Sequence, residues 1–248
     1  MKRMAIALML PLFLLGLWQY AAASGSLSPA YFPAPSLVFE ALYSSIISGS
    51  LWIPVGATTS RMMQGWLMAC LVGICLGALI GSSQRCRDYI NPTLEFLRPF
   101  PASAIIPAAI LIFGLSNTMA VSVIAFGSLW PILLGTLHGF SSIEPKLREV
   151  GRVIELGPLD YFRKIALPAA LPDILTGMRI SLAIALILTV VVEMQAAQPG
   201  LGQNILLAQR LFRTPELYAG ILVLALIGLL TSWMLDFIES QLPIRRSR

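Results

Sequence analysis

The chain has 248 residues, of which 57% are hydrophobic and only 12% are charged. A soluble globular domain carries about 25% charged residues, so this composition excludes a protein whose whole surface faces water. The net charge of +5 is not arranged as a basic stripe with interleaved aromatic residues, which argues against a nucleic-acid partner. The sequence therefore predicts an all-α integral membrane protein.

Six segments are predicted to be transmembrane helices, because a helix needs about 20 mostly apolar residues to cross a bilayer. They are Met4–Ala23, Met62–Gly81, Ala102–Leu115, Met119–Leu137, Ile174–Met194 and Leu217–Ile238. The third segment is short, and an extension back to Phe100 gives it a sufficient length, since Pro99 and Pro101 are tolerated in a first helical turn. The first segment resembles a signal peptide, but its apolar run exceeds the usual length of about 7–15 residues, so we retain it as a span.

The distribution of Arg and Lys orients these spans with both termini in the cytoplasm. The cytoplasmic segments then contain Lys2, Arg3, Arg85, Arg87, Arg98, Lys146, Arg148, Arg152, Arg163, Lys164, Arg245, Arg246 and Arg248. Only Arg61, Arg210 and Arg213 fall outside, and Arg179 lies near the cytoplasmic end of the fifth span. The roles of Arg210 and Arg213 stay open: they could meet an acidic binding protein, attract an anion or be solvated.

The longest predicted cytoplasmic connection, residues 141–173, differs from the rest of the chain in its charges and prolines. Leu147, Val150 and Ile154 recur at helical spacing among charged residues, which predicts a short amphipathic helix. Pro168 and Pro172 are expected to interrupt any helix through the second half of the connection. This pattern predicts a firm elbow that carries a docking surface outside the bilayer, in preference to a solvated loop.

The chain lacks the sequence patterns of ATP hydrolysis and of catalysis. It has no G-x-x-x-x-G-K-[ST] motif, and none of its three lysines follows a glycine-rich loop, so we expect no ATPase site and no enzyme. The acid Glu193 lies near a span end, and paired mid-membrane carboxylates are missing. The three cysteines have no metal-binding or redox spacing and His138 is the only histidine, so we expect no metal site and no cofactor.

The elbow resembles the EAA loop of the permease subunits of bacterial ABC importers, which reads roughly E-A-A, three residues, Gly, nine residues, then I-x-L-P. The matching residues here are Glu149, Ile165, Leu167 and Pro168. There are also departures from the pattern: Val150 and Gly151 replace the two alanines, and Glu155 replaces the glycine, with Gly157 two positions later.

Further segments resemble the nitrate, sulfonate and taurine branch of this family, from about Phe32 to Asp236. They read YFPAPSLVFEAL, SGSLWIPVGATTSR, LRPFPASAIIPAAILIFGLS, WPILLGTLHG, LPAALPDILTGMRISLAIAL and VVVEMQAAQPGLGQNI. The resemblance implies a methionine-importer-like fold, with six transmembrane helices of the type I ABC importer class. It implies a transport domain over residues 54–240, with the coupling loop at 141–173, after an N-terminal region over residues 1–30.

The resemblance also implies site residues and partners. The ATPase-coupling residues are Leu147, Glu149, Val150, Arg152, Gly157, Ile165, Leu167, Pro168 and Pro172. Glu193, Gly200 and Gly202 match positions near the outer mouth of the pathway. The implied partners are a cytoplasmic ABC ATPase dimer, a second permease copy, an extracytoplasmic solute-binding protein and the lipid bilayer of the bacterial inner membrane.

The sequence thus predicts the permease subunit of an ATP-driven importer for a small anionic or zwitterionic solute, with sulfonate, taurine and nitrate as leading substrates. Bicarbonate and a vitamin or pyrimidine precursor stay open, because related permeases differ little where their binding proteins differ much. An ion-coupled secondary transporter is disfavoured by the missing mid-membrane acids and the lack of an obvious internal repeat. A membrane-embedded enzyme is disfavoured by the missing catalytic cluster.

Overall fold

The computed structural model describes residues 2–241, with side chains from Met9 onward, and the regular structure in this range is helical throughout. The helices are α1 Lys2–Ala23, α2 Pro35–Ile47, α3 Trp52–Ser82, α4 Gln84–Leu97, α5 Ile106–Phe113, α6 Asn117–Ser141, α7 Pro145–Val153, α8 Pro158–Tyr161, α9 Leu167–Gln195, α10 Leu201–Arg210 and α11 Thr214–Gln241. A 3-10 turn, Ala102–Ile105, leads into α5, and a π turn, Phe162–Ala166, joins α8 to α9. The predicted all-α class is confirmed. Among the orienting cations, the side chains of Lys2, Arg3, Arg245, Arg246 and Arg248 lie outside the described residues.

Four helical stretches in the described range are long and apolar enough to cross a membrane. They are Trp52–Ser82, Asn117–Ser141, Pro158–Gln195 and Thr214–Gln241. Each contains one predicted span and extends beyond it, because the helix continues through polar residues on either side of the apolar run. The helix α1 has 22 residues and contains the predicted first span.

The predicted third span, Ala102–Leu115, is wrong as a full-length helix. This part of the chain forms a four-residue 3-10 turn and the eight-residue α5, together about 20 Å long, whereas the hydrocarbon core is about 30 Å thick. The preceding helix α4 meets this element at a bend of 75°. Proline explains the break: Pro99 and Pro101 lie between α4 and α5, and a proline disfavours helical geometry at the residue before it.

Helices α3 and α6 pack side by side and run in the same direction. A Cβ atom at Gly65 would lie 2.5 Å from Cγ2 of Ile124, and one at Gly81 would lie 2.8 Å from Cβ of Phe140. In both pairs the contact partner is 59 residues further along the chain, which means that the two helices are parallel. Glycine at these positions allows the close approach, as is common between membrane helices.

The parallel direction of α3 and α6 fixes the path of the chain between them. The last residue of α3, Ser82, and the first residue of α6, Asn117, lie at opposite ends of the pair. The connecting residues therefore have to return over the whole length of the two helices. The helices α4 and α5 and their connections cover this distance as an element with a bend of 75°.

Helices α6 and α9 pack closely in antiparallel directions. A Cβ atom at Gly177 would lie 2.5 Å from the carbonyl oxygen of Pro131, and one at Gly139 would lie 2.9 Å from Cα of Ala170. These contacts bring main chain against main chain. Helix α6 therefore packs against both α3 and α9 through glycine contacts.

The described residues form two compact units, and the chain passes between them after Thr58, Gln198 and Ile227. The first unit contains α1, α2, α10 and the first half of α11. Inside this unit the rings of Trp18 and Tyr218 lie 5.6 Å apart, and the Tyr218 hydroxyl donates to the carbonyl of Tyr31 at 3.1 Å. The second unit contains most of α3, the elements α4 to α9 and the second half of α11.

Candidate functional site

The elbow, residues 141–173, is anchored to the transmembrane helices by aromatic and apolar packing. The ring of Phe162 in the π turn stacks on Phe140 of α6, with centroids 5.6 Å apart and an angle of 13° between the planes. Ile143, Ala166 and Ala170 are buried in the same apolar cluster. The elbow is therefore fixed to the end of α6 and to the start of α9.

Helix α7 is held against α8 through a glycine. Gly151 is buried, and a Cβ atom at this position would lie 2.8 Å from Cδ2 of Tyr161. The Tyr161 ring thus packs directly on the backbone of α7, which a larger residue would prevent. This contact gives a physical reason for glycine at a position where the resembling family has alanine.

Helix α7 ends in a Schellman motif whose left-handed residue is Glu155, with φ 49°. The N–H of Glu155 donates to the carbonyl of Arg152 at 3.1 Å, and the N–H of Leu156 donates to the carbonyl of Gly151 at 3.0 Å. Glycine usually occupies the left-handed position of this motif, which explains the family glycine here. Gly157, by contrast, has φ −61° and does not take the left-handed conformation.

Four exposed apolar side chains form a stripe along α7 and the residue that follows it. The exposed fractions are 39% for Leu147, 49% for Val150, 81% for Val153 and 58% for Ile154. At 100° per residue these positions fall on one side of the helix, so the predicted amphipathic helix is confirmed. Sequence reasoning missed Val153, which is the most exposed of the four; a helical projection of the segment could have found it.

The expected interruption at Pro168 and Pro172 is wrong, because one helical stretch runs from Pro158 to Gln195. The π turn precedes Pro168, and there the N–H of Leu167 donates to the carbonyl of Phe162, five residues back. A wider turn at this point accommodates the proline ring, which would otherwise clash with the preceding helical turn.

The remaining elbow residues implied by the resemblance differ in burial. Glu149, Arg152, Pro168 and Pro172 are exposed, whereas Ile165 and Leu167 are half-buried. Leu167 packs against the apolar cluster around Phe140. The half-buried residues therefore lie against the packed side of the elbow, and the exposed residues lie on its surface.

A buried ion pair joins helices at the ends that lie far from the elbow. Arg61 of α3 is 6% exposed and Glu193 of α9 is completely buried, and the Arg61 Nη1 atom lies 2.5 Å from Oε1 of Glu193. Arg61 Nε also donates to Oδ1 of Asn117, the first residue of α6, at 3.3 Å. The Asn117 amide donates in turn to Oε1 of Gln64 at 3.0 Å. Sequence reasoning singled out Glu193 but missed Arg61 as its partner; a cation beside an apolar run was the available signal.

The other predicted outer residues lie in the first unit. Gly200 directly precedes α10 and Gly202 lies in its first turn, and both are buried. The N–H of Leu201 donates to the hydroxyl of Thr58 at 2.9 Å, which ties the start of α10 to the start of α3. The residues after Gly200 thus form a ten-residue helix. Arg210 and Arg213 are both exposed.

A cavity of about 700 Å³, which we call the inner cavity, lies along α6 and α9 in the second unit. Its lining on α9 extends from Asp173 to Leu188, a distance of about 22 Å along the helix. The lining is mainly apolar, with Arg98, Ser103 and Trp130 among its polar groups. The Trp130 Nε1 atom is buried and has no hydrogen-bond partner among the described residues. Such a lining, apolar with a few polar groups, is typical of ligand sites.

Comparison with known proteins identifies both the family and the fold. The family described as "Binding-protein-dependent transport system inner membrane component" matches residues 73–242. The Bacillus subtilis protein SsuC, named as an aliphatic sulfonates transport permease, is 34% identical over 95% of this chain and 85% of its own length. The nitrate import permease NrtB of Leptolyngbya laminosa is 32% identical, with coverages of 92% and 84%.

Two further similarities agree with this assignment. The taurine transport system permease TauC of Escherichia coli is 30% identical over 92% of this chain and 85% of its own length. A structure of inward-facing conformations of the MetNI methionine ABC transporter has a TM-score of 0.67 at 18% identity, and the match covers 75% of this chain and 94% of that chain. This structural likeness concerns the fold alone.

Proposed function

Because the chain belongs to the family of binding-protein-dependent transport system inner membrane components, we propose that it imports small oxyanion-bearing solutes with energy supplied by a separate ATPase. The chain is a multi-pass membrane transport subunit with the fold of type I ABC importers. The observation that carries the proposal is the anchored elbow with its exposed apolar stripe. The stripe suits a protein partner, and the anchoring suits the transmission of force.

The ATPase docks on the apolar stripe of α7, with Leu147, Val150 and Val153 as its main contacts. The exposed charges Glu149 and Arg152 flank this surface and fix the orientation of the partner. The elbow and both termini lie in the cytoplasm, in keeping with the distribution of Arg and Lys. Closure of an ATPase dimer would move the elbows of two permease copies together and switch the pathway by rigid-body rotation.

The working unit contains a second copy of this chain, and a soluble binding protein delivers the solute from outside. Residues 54–240 form the transport domain, after an N-terminal region over residues 1–30. Gly200 and Gly202 keep their proposed place near the outer mouth. Glu193, in contrast, contributes through its ion pair with Arg61, since its carboxylate is buried.

The solute carries an oxyanion group, and the inner cavity is part of its pathway. The named relatives carry sulfonates, nitrate or taurine, which share a compact group of oxygen atoms. The guanidinium of Arg98 and the Ser103 hydroxyl are hydrogen-bond donors of the kind that such a group needs, and the Asp173 carboxylate lines the same cavity.

Docking is tested with Val150→Asp combined with Val153→Asp, in cells that also produce the ATPase subunit. We expect the variant to insert into the membrane but to lose co-purification with the ATPase, because two carboxylates would be buried in the interface. The control is Leu159→Asp, since Leu159 is 67% exposed on the same elbow but lies outside the stripe. Equal ATPase recovery from both variants would rule out the stripe as the docking surface.

The substrate is tested by uptake into proteoliposomes that contain the permease, its ATPase and its binding protein. We expect ATP-dependent uptake of taurine, an alkanesulfonate or nitrate, and a roughly tenfold higher KM for Arg98→Gln. If only bicarbonate or a pyrimidine precursor were taken up, the proposed solute would be wrong and that compound would be the substrate. Uptake that survives ATP depletion and collapses with the proton gradient would indicate a secondary transporter.

A further inference from the structure

We propose that Arg61 and Glu193 form a permanent clasp, which makes α3, α6 and α9 move as one body through the transport cycle. Both are then positioning residues that touch neither solute nor ATPase. This inference rests on the proposed function, because it concerns how a displacement of the elbow reaches the far ends of the helices.

Burial makes the pair difficult to separate. Glu193 is completely buried and Arg61 is 6% exposed, so neither charge has bulk water available as a substitute partner. Removing one member of a buried pair leaves an uncompensated charge in an apolar environment, which is strongly unfavourable. Separation of the two groups during every transport cycle would expose them to the same penalty.

The surrounding packing argues against a gate at this position. A gate needs its two sides in bodies that move apart. Here α6 is packed against α3 by way of Gly65 and Gly81, and against α9 by way of Gly139 and Gly177. All three helices that carry the clasp therefore belong to one closely packed assembly.

A direct link between α3 and α9 supports the same conclusion. The indole N–H of Trp66 donates to the carbonyl of Met178 at 3.1 Å. This bond joins the two helices nearer to the elbow, whereas the clasp joins them at the far ends. Two separated links prevent α9 from swinging about a single contact on α3. The elbow continues directly into α9, so its displacement reaches the far end of the helix.

The chain also offers an exposed ion-pair network as a matched control. Arg179 of α9 pairs with Asp236 and with Glu239 of α11, the latter at 2.5 Å. The side chain of Arg179 is 50% exposed, so water can replace its partners. Arg179→Met removes a cation from the same helix without leaving a buried charge, and we expect it to keep normal transport.

The test replaces the clasp by a removable covalent link. In a background without Cys70, Cys75 and Cys86, the variant Arg61→Cys with Glu193→Cys lacks both buried charges. We expect it to insert and to bind the ATPase, but to move about tenfold less solute per ATP hydrolysed. A short, membrane-permeant reagent that joins the two thiols should restore at least half of the lost transport.

The alternatives predict different results in the same assay. If the pair is a gate, the covalent link will abolish transport, and our inference is overturned. If the uncrosslinked variant transports normally, the pair has no positioning role, and the inference is equally overturned. The charge-exchanged variant, Arg61→Glu with Glu193→Arg, keeps a buried pair and should retain transport; loss of transport by a well-folded exchange variant would contradict the clasp.

A distance measurement that does not depend on transport distinguishes a failure of the clasp from a failure of the proposed substrate. Spin labels at Thr118 and Gln195 occupy exposed positions at the far ends of α6 and α9. We expect one narrow distance distribution with and without ATP in the otherwise wild-type complex, and a broad one after loss of both charges. A distance that shifts with ATP in the wild type would refute the clasp. An unchanged distance together with no uptake of any tested anion would refute the substrate and leave the clasp intact.

Discussion

Replacement of Glu155 by glycine should stabilise the elbow. Glu155 has φ 49°, and a left-handed conformation costs a residue with a Cβ atom about 1–2 kcal/mol. Glycine avoids this cost but loses about 0.5–1 kcal/mol more backbone entropy on folding. The difference is a net stabilisation of about 0.5–1 kcal/mol, which corresponds to a roughly two- to fivefold smaller population of the locally opened elbow.

Hydrogen exchange measures this change at the two amides that close the motif. The N–H groups of Glu155 and Leu156 donate to carbonyls of α7, so their exchange requires opening of this helix end. We expect both to exchange about two to five times more slowly in Glu155→Gly, and Glu155→Asn to give a smaller effect, because asparagine tolerates this conformation. Gly157→Ala is the control, since Gly157 has φ −61° and open space around the position of a Cβ atom.

Unchanged or faster exchange of Leu156 in Glu155→Gly would contradict this explanation of the family glycine. It would mean that the Glu155 side chain contributes a compensating interaction. An equal change in exchange for Gly157→Ala would also contradict it, because a general change in loop entropy would then explain the slower exchange.

Three further predictions concern packing and topology. Gly151→Ala should lower the free energy of unfolding by about 1–3 kcal/mol by displacing the Tyr161 ring; in a Tyr161→Ala background the same change should cost nothing further, so a double-mutant cycle should give a coupling energy of about that size. Gly177→Ala should destabilise more and find no such rescue, because the nearest atom, 2.5 Å away, is a main-chain oxygen; normal expression and melting would refute the backbone contact. A membrane-impermeant maleimide should label Cys86 from one side of the membrane and Thr118→Cys from the other; labelling of both from one side would exclude the third crossing.

The features that sequence analysis predicted are local ones. A membrane span is recognised from the length of an apolar run, and α7 was recognised from the spacing of Leu147, Val150 and Ile154. Neither prediction needs knowledge of a distant residue. The spans were predicted too short because the criterion follows the apolar core of a helix, whereas α3 begins ten residues earlier, at Trp52.

The features that were missed depend on contacts between distant residues or on backbone conformation. Arg61 and Glu193 are 132 positions apart, and composition alone cannot pair them. The left-handed backbone of Glu155 is set by the way in which α7 ends. Because glutamate, and not glycine, occupies this position, the sequence gives no sign of that conformation. One signal was available but unused: Gly73, Gly77 and Gly81 recur every fourth residue, which is typical of closely packed membrane helices.

The prediction of the third span as a continuous helix failed at a place that lines the inner cavity. Arg98 and Ser103, which supply polar groups to this cavity, lie where α4 ends and the 3-10 turn begins. Irregular backbone at membrane depth is tolerated where it lines a cavity or is covered by protein. An unbroken apolar helix would satisfy the span criterion but would bring neither group to this place. The bent element therefore departs from the sequence rule at the point where the proposed anion pathway would require hydrogen-bond donors, and departures of this kind are expected at functional sites.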